Sequence, residues 1–465
     1  MAHERLTATD AAFLYIETPH EPQHVGSLTI LEGEPLRDAS GRIRMEELRG
    51  AVSDRLHRVP RMRQRIRMVP FRQGRPVWVD DDRFDLDYHM RLTALPRPGT
   101  REQLLDLMGR LQSQPLDRTR PLWEFWLVDG LEDGTVAQIS KIHHCVGDGI
   151  ATVDLAMALV DFEPDPEPPP AAPTWVPNEP PSDRELLVEA VAEQITRPAT
   201  LIRNLTTAVR NPRAFASMLG DVASTALTFQ DRPRPAPWNT EVSSHRRWVD
   251  ATASIEQVGR IRRAAPVKVT LNDVVLTACT TALRSFMADR GEDLDHDRAL
   301  KAMVPVSRRP DEERGELGNS VSLIVVDLPV HESDPVLCLE AISSQTDALK
   351  DSGMADGAER IVEAAGEFSL VAPELARVVS RQIPMNLVIT NVPGPPVPLW
   401  MFGAKVLETY PYVEVIDGEG LTIGVVSYEG VLHFGLTADR DGMADLPKLA
   451  DSISRAFGDL ESALG

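Results

Sequence analysis

The sequence predicts a mixed α/β protein, α+β in the layout of its sheets, built as two lobes. Three observations carry this. A proline-rich run divides the chain into two long segments. Both segments interleave period-two stretches with helical ones. Several strands recur as hairpin pairs, which is not the strand-helix-strand alternation of a doubly wound parallel sheet. With 465 residues, 42% apolar and 26% charged, each segment can bury a core of its own.

The first segment, residues 1–161, opens its regular pattern with a strand at His24–Leu31 and a helix at Met45–Leu56. Arg61 to Val69 alternates in period two, which on a strand sets Arg61, Arg63, Arg65 and Arg67 on one face. Val77–Asp80 and Leu86–Leu95 read as extended, and Arg101–Leu111 as helical. Leu122–Val128 and Val136–His143 flank Glu132, Asp133 and Gly134 as strand, turn and strand. Gly149 then opens a helical run to Val160. Residues 162–184 hold nine prolines, too many for a helix or a central strand, and form an extended crossover linker.

In the second segment, residues 185–465, helical patterns cover Glu185–Thr196 and Leu201–Leu227, interrupted by Pro198 and Pro212. A helix at Asn272–Ala288 precedes strands at Ala302–Ser307 and Val321–Leu328, and helices fill Pro335–Leu370. Strands return at Asn386–Asn391, Leu421–Tyr428 and Val431–Leu436, the last two joined by Glu429-Gly430 as a hairpin turn.

Composition excludes several classes. A net charge of -21 opposes nucleic-acid binding, which needs cations to neutralise phosphates. Cys145, Cys279 and Cys338 lie at irregular spacing, fit neither a disulfide framework nor a zinc site, and suit a reducing compartment. Glu4 and Asp10 interrupt the N-terminus, no apolar h-region follows, and no run of 18 uncharged apolar residues exists. A cytoplasmic protein is expected, with membrane contact at most peripheral. Thr196–Phe229 carries Arg197, Arg203, Arg210 and Arg213 against the single acid Asp221, among apolar residues at helical spacing. It suits either packing on the second lobe or reversible docking on the cytoplasmic leaflet or a lipid droplet.

The chemistry concentrates at Ile142–Ile150, IHHCVGDGI, an HHxxxDG string of His143, His144, Asp148 and Gly149 where a strand meets a tight turn. A neutral imidazole can take the proton of an alcohol during attack on a carbonyl. The plain alternative is a polar strand end followed by an Asp-Gly turn. Adjacent histidines on a strand point to opposite faces, so one faces the site and they do not share a metal ion.

HHxxxDG is shared by the chloramphenicol-acetyltransferase-like, CoA-dependent acyltransferases and by peptide condensation domains. Further pieces make the chain resemble the bacterial wax ester synthase/diacylglycerol O-acyltransferases. These are the TDAAFL…HVG opening, Pro121-Leu122-Trp123, Asn272-Asp273, Met303-Val304-Pro305-Val306-Ser307, Gly318-Asn319 and Asn391-Val392-Pro393-Gly394-Pro395, in that order along the chain. Gly147 departs from the aliphatic residue usual there. The resemblance implies two similar α/β lobes with an active-site tunnel between them. It also implies transfer of a fatty acyl group from acyl-CoA to diacylglycerol or a long-chain alcohol. His144, at the HxxxD spacing, would be the base. His143 would hold the loop, and Asp148 would pair with an arginine, with Arg63 the candidate. No metal and no cofactor beyond acyl-CoA as substrate is required.

Asn272 reads either as a helix N-cap, with Asp273 in the first turn, or as a donor toward the developing oxyanion. Trp123 reads as core or as the wall of an acyl tunnel. Cys145 reads as packing, because a ternary mechanism needs no covalent acyl-enzyme. Another alcohol or amine acceptor stays open. A non-catalytic lipid-binding protein is the reading from a different class, and the intact HHxxxDG opposes it.

Overall fold

The computed structural model describes residues 3–147, 160–167, 173–192, 233–295, 299–307, 321–351 and 385–465. Asp148, Gly149, the helix expected to Val160, the Thr196–Phe229 stretch, Gly318-Asn319 and the helices expected beyond residue 351 lie outside the described residues.

The N-terminal part contains β1 (Glu4–Arg5), α1 (Ala8–Ile16), β2 (His24–Leu31), α2 (Met45–Arg55), β3 (Gln64–Arg67) and β4 (Val77–Asp80). It continues with α3 (Leu86–His89), β5 (Met90–Ala94), α4 (Arg101–Gln112), β6 (Trp123–Asp129) and β7 (Val136–His143). After the linker come β8 (Arg246–Ser254), α5 (Ile255–Ala264), α6 (Leu271–Asp289), β9 (Leu300–Ser307), β10 (Val321–Leu328) and α7 (Pro335–Asp351). The chain ends with β11 (Leu387–Val392), β12 (Trp400–Met401), β13 (Ala404–Tyr412), β14 (Leu421–Tyr428), β15 (Val431–Asp439) and α8 (Leu446–Ala463).

Two six-stranded mixed sheets form the lobes. The first runs β12-β13-β2-β7-β6-β5 and the second β10-β9-β11-β14-β15-β8, while β1, β4 and β3 make a small separate sheet. Every residue of β7 is buried, as a central strand covered on both faces should be. One cover is the core around Leu48 and Val52 of α2, and the other is that around Leu104, Met108 and Leu111 of α4. The second sheet buries Leu421, Ile423 and Phe434 under α5, α6, α7 and α8, through Ile261, Leu283, Ile342 and Phe457 among others.

Residues 1–161 and 185–465 do not map one to one onto the lobes. β12 and β13 come from the second segment yet complete the first sheet, β13 pairing with β2 from Val406↔Leu31 to Tyr412↔Gly26. β13 also lies across the second sheet, where Gly424 and Gly435 face each other in register. A Cβ on Gly424 would come within 2.9 Å of the Pro411 ring, and one on Gly435 within 1.8 Å of the Pro411 carbonyl oxygen. Two glycines thus open the slot that lets one strand bind both lobes. On the other flank α4 meets β8: Arg246 N donates to Ser113 Oγ at 2.9 Å and Arg101 pairs with Asp250 at 2.7 Å.

Most local patterns hold, and the Glu429-Gly430 turn has both residues at positive φ, 45° and 84°, as a tight hairpin requires. The arginine strand does not hold. Arg61 and Arg63 lie in a 3-10 turn, Pro60–Arg63, begun by its proline, and only Arg65 and Arg67 share the face of β3. Residues Leu86–His89 form a helical turn capped by Asp85 rather than extended chain. The described part of the linker is strapped to the first lobe: Asn178 donates twice to Asp80, Arg67 pairs with Asp183, and Trp175 lies under Arg63.

Candidate active site

β7 runs His143 into the sheet end, and the chain turns at once into a 3-10 turn, His144–Val146. The turn is held by His144 N donating to Gln23 O at 2.9 Å and Cys145 N donating to His143 Nδ1 at 3.1 Å. α1 clamps both histidines from one end, because Phe13 lies in its last turn and Glu17, four residues on, is its C-cap. The Phe13 ring stacks on the His144 imidazole, with centroids 3.9 Å apart and planes inclined by 11°. The Glu17 carboxylate reaches His143 Nε2 at 3.4 Å and His24 Nε2 at 3.6 Å. Gln23 N also donates to it, at 3.2 Å, and Arg118 Nε at 2.9 Å.

Burial alone would raise the Glu17 carboxyl, but the contact and charge of His143 and the guanidinium of Arg118 outweigh it and hold the group at about 2. Burial lowers the His143 imidazole against the pull of Glu17. At neutral pH this leaves an ionised Glu17, a neutral His143 and Arg118 as the lasting countercharge. His24 is fully enclosed, and burial holds its imidazole well below the ordinary range. The paired histidines therefore differ in setting: His143, the last residue of β7, is tied to Glu17 and the turn, and His144 opens the 3-10 turn. Burial pushes the Cys145 thiol well above its ordinary range, so it is a packing group and no thiolate nucleophile.

The other expected residues are placed as follows. Trp123 is 1% exposed, its indole N–H donates to Met62 O at 2.8 Å, and its ring stacks on His89. It packs in the core of the first lobe, with its polar handle satisfied by Met62. Arg63 lies 4.6 Å over the Trp175 ring and near Asp80, and burial lowers its guanidinium despite that carboxylate. Among the described residues its partners are these; Asp148, its expected partner, lies outside the described residues. Arg61 pairs with Glu4, Arg65 with Asp81 and Arg67 with Asp183, so the arginine set braces the first lobe.

The N-cap of α6 is Thr270, not Asn272. Thr270 and Asp273 form a capping box, with Asp273 N donating to Thr270 Oγ1 at 3.2 Å and Thr270 N to Asp273 Oδ2 at 2.7 Å. The other Asp273 oxygen accepts from Thr346 Oγ1 at 2.7 Å. Asp273 is thus buried, with both oxygens engaged within the fold. Asn272 is free of capping. Its Oδ1 faces Asn391 Nδ2 at 3.5 Å, bringing the Asn-Asp helix start against the Asn-Val-Pro-Gly-Pro turn. Sequence reasoning missed Phe13, Glu17 and Arg118. The Phe13 and Glu17 spacing was available as an i, i+4 pair, but nothing local announced α1.

Residues 6–275 match the family model of the wax ester synthase/diacylglycerol acyltransferase catalytic domain, and residues 317–461 that of the WS/DGAT C-terminal domain. The chain belongs to this family. It is 32% identical over 461 residues to the probable diacylglycerol O-acyltransferase tgs1 of Mycobacterium tuberculosis, covering 98% of this chain and 95% of that one. It is 32% identical over 463 residues to tgs2 of the same species, covering 98% of each. The wax ester synthase/diacylglycerol acyltransferase of Marinobacter aquaeolei VT8 superposes with a TM-score of 0.70 at 24% identity, over 99% of this chain and 100% of that one. The rhizomide synthetase starter condensation domain, solved with C8-CoA and Leu-SNAC, gives 0.59 at 13% identity, over 100% of this chain and 94% of that one. The fold is therefore the two-lobe, chloramphenicol-acetyltransferase-like one, and the chain is an acyltransferase of the wax ester synthase and diacylglycerol O-acyltransferase type.

Proposed function

We propose that this enzyme moves a fatty acyl group from acyl-CoA to the hydroxyl of diacylglycerol or a long-chain alcohol, both substrates bound together, with His144 as general base. The observation that carries the assignment is the division of labour at the end of β7. His143 is buried and tied to Glu17 and the turn, while among the described residues His144 is held through its backbone and the face of Phe13. Stacking leaves the in-plane nitrogens uncovered by Phe13, and since Nδ1 is enclosed we assign the proton transfer to Nε2.

His144 accepts the hydroxyl proton as the alcohol oxygen attacks the thioester carbonyl. Asn272, whose Oδ1 is turned toward Asn391, has its amide N–H groups to offer the oxyanion. The C–S bond then breaks, and the proton passes from His144 to the CoA sulfur. The reaction needs no metal or prosthetic group, since base, oxyanion donor and thioester leaving group suffice. Asp148 is proposed to fix the turn.

The acceptors dissolve in lipid, so we place the enzyme in the cytoplasm with reversible contact to a membrane or lipid-droplet surface. No helix among the described residues is long and apolar enough to cross a membrane. The basic, apolar composition of Thr196–Phe229 supports a surface contact. So does the loop after β3, which exposes Met68 and Phe71 beside Arg72, Phe71 at 83%. Incubating purified protein with labelled palmitoyl-CoA and vesicle-borne diacylglycerol, hexadecanol, a short alcohol or an alkylamine tests the reading. Ester with diacylglycerol or hexadecanol is expected, and survives chelation. Amide formation alone, or activity lost to chelator and restored by one metal, overturns it.

A further inference from the structure

One half-buried acid near His144 has no part in the mechanism above. Glu414 lies two residues past β13, the strand that binds the lobes together. β13 pairs with β2 as far as Tyr412↔Gly26, and β2 pairs with β7 through His24↔His143. Continuing past Tyr412, the chain therefore heads for the end of β7 where the histidines stand. Glu414 Oε2 is enclosed and has no hydrogen-bond partner among the described residues, and the same is true of His144 Nδ1. The two groups lie within electrostatic reach of each other. An enclosed polar atom without a partner costs about 1–3 kcal/mol, so each such pair calls for an explanation other than stability. Here the two unsatisfied atoms are an acid and the ring nitrogen of the base, from segments far apart in sequence.

We infer that Glu414 is a positioning residue whose carboxylate faces the His144 imidazole and stabilises the positive charge that ring acquires during the reaction. This rests on His144 being the base. In the step concerned, the substrate O–H bond breaks and its proton goes to His144, the O–C bond forms, and the C–S bond then breaks with the proton passing to sulfur. Glu414 gains and loses no atom. Its effect is largest in the transition state, because the charge it opposes exists only there, and the enclosed site has a low dielectric.

Other groups act on the same ring. Asp10 of α1 interacts with His144, and burial raises its carboxyl against the effects of Thr7 and His144. His143 stands beside it on β7, backed by Glu17 and Arg118. Glu17 and Arg118 compensate each other and His143 is neutral, so Glu414 and Asp10 are the acids left to set the field at His144 among the described residues. Burial raises the Glu414 carboxyl, and His144 opposes that rise. A folded-state pKa raised above the unfolded one gives stability that is present at low pH and lost as pH rises through the folded value. Replacing this acid with its amide should therefore relieve the folded protein at neutral and higher pH.

The test compares Glu414→Gln, Glu414→Asp and His144→Ala, measuring kcat, KM and the pH dependence of kcat/KM, with thermal unfolding of each. Glu414→Gln is expected to lower kcat by about tenfold to a hundredfold, within the range of acid–base assistance, with KM changed less than threefold. Its acid limb should move to lower pH, because no anion remains to favour the protonated base. Its melting temperature should equal or exceed that of the wild type at neutral pH. Glu414→Asp should keep the wild-type acid limb and recover part of the rate, and carries the test if the amide variant misfolds. If His144→Ala is inactive while Glu414→Gln keeps kcat within threefold and an unmoved acid limb, this inference falls and His144 stands. The inference also falls if Glu414→Asp loses the wild-type acid limb. Near-normal activity in His144→Ala overturns both.

Discussion

Replacing Glu17 with glutamine tests the electrostatic frame under the catalytic turn. The carboxyl is held at about 2, against 4.5 for the free group. At about 1.4 kcal/mol per unit, that difference amounts to about 3 kcal/mol of folded-state stability. The sign is that of a depressed acid. The stability is present above the unfolded value, shrinks as pH falls below about 4.5, and is gone near 2. Glutamine keeps the size of the side chain and its ability to accept from Gln23 N, so the loss isolates the carboxylate charge opposite Arg118 and its contact with His143. Urea unfolding of wild type and Glu17→Gln at pH 7 and pH 3 reads it directly. A loss approaching about 3 kcal/mol at pH 7 that falls to about half at pH 3 is expected. A loss under about 1 kcal/mol at pH 7, or one unchanged at pH 3, would refute the pairing as the source of the shift.

Three further outcomes follow from the packing and the turn. Gly435→Ala drives a Cβ to within 1.8 Å of the Pro411 carbonyl oxygen, so it should cost at least about 1–3 kcal/mol and loosen the lobes; an unchanged melting temperature would contradict the slot between β13 and β15. Asp273→Ala removes a capping box and the acceptor of Thr346, and should cost about 1–3 kcal/mol in denaturant unfolding while KM moves little. A large rise in KM with no loss of stability would return Asp273 to the substrate site. Cys145→Ala should keep its activity in a steady-state assay, because the thiol is enclosed and held protonated; loss of turnover in a folded variant would reopen a covalent route.

The legible parts of the fold were those encoded by neighbours in sequence. β2, β4, β7, β10 and β14 have the bounds their alternation or apolar runs indicate, and the β14–β15 turn follows from Glu429-Gly430. β13 was not legible. Glu408 and Pro411 interrupt its pattern, and its partner β2 is more than 370 residues away, a pairing that only tertiary packing selects. β8 and the helices α1, α5 and α8 were likewise passed over. The cap of α6 is readable in the sequence: Thr270 with Asp273 three residues on is a capping box, which starts the helix two residues before Asn272 would cap it. The arginine run misled because Pro60 starts a 3-10 turn that consumes Arg61 and Arg63 before the strand begins. At the site, HHxxxDG marked His143 and His144, and the structure gives them different surroundings. Glu17, Arg118 and Glu414 carry no motif, because their proximity to those histidines is created by the fold.

The central claim is that His144 removes the hydroxyl proton, and one comparison tests it most directly. Wild type and His144→Ala are assayed with labelled palmitoyl-CoA and the best acceptor, recording ester formed and CoA released, with thermal unfolding to show that the variant is folded. Loss of ester formation by about a hundredfold or more is expected, as removal of a general base implies. Ester formation in the folded variant within about tenfold of wild type would contradict the account.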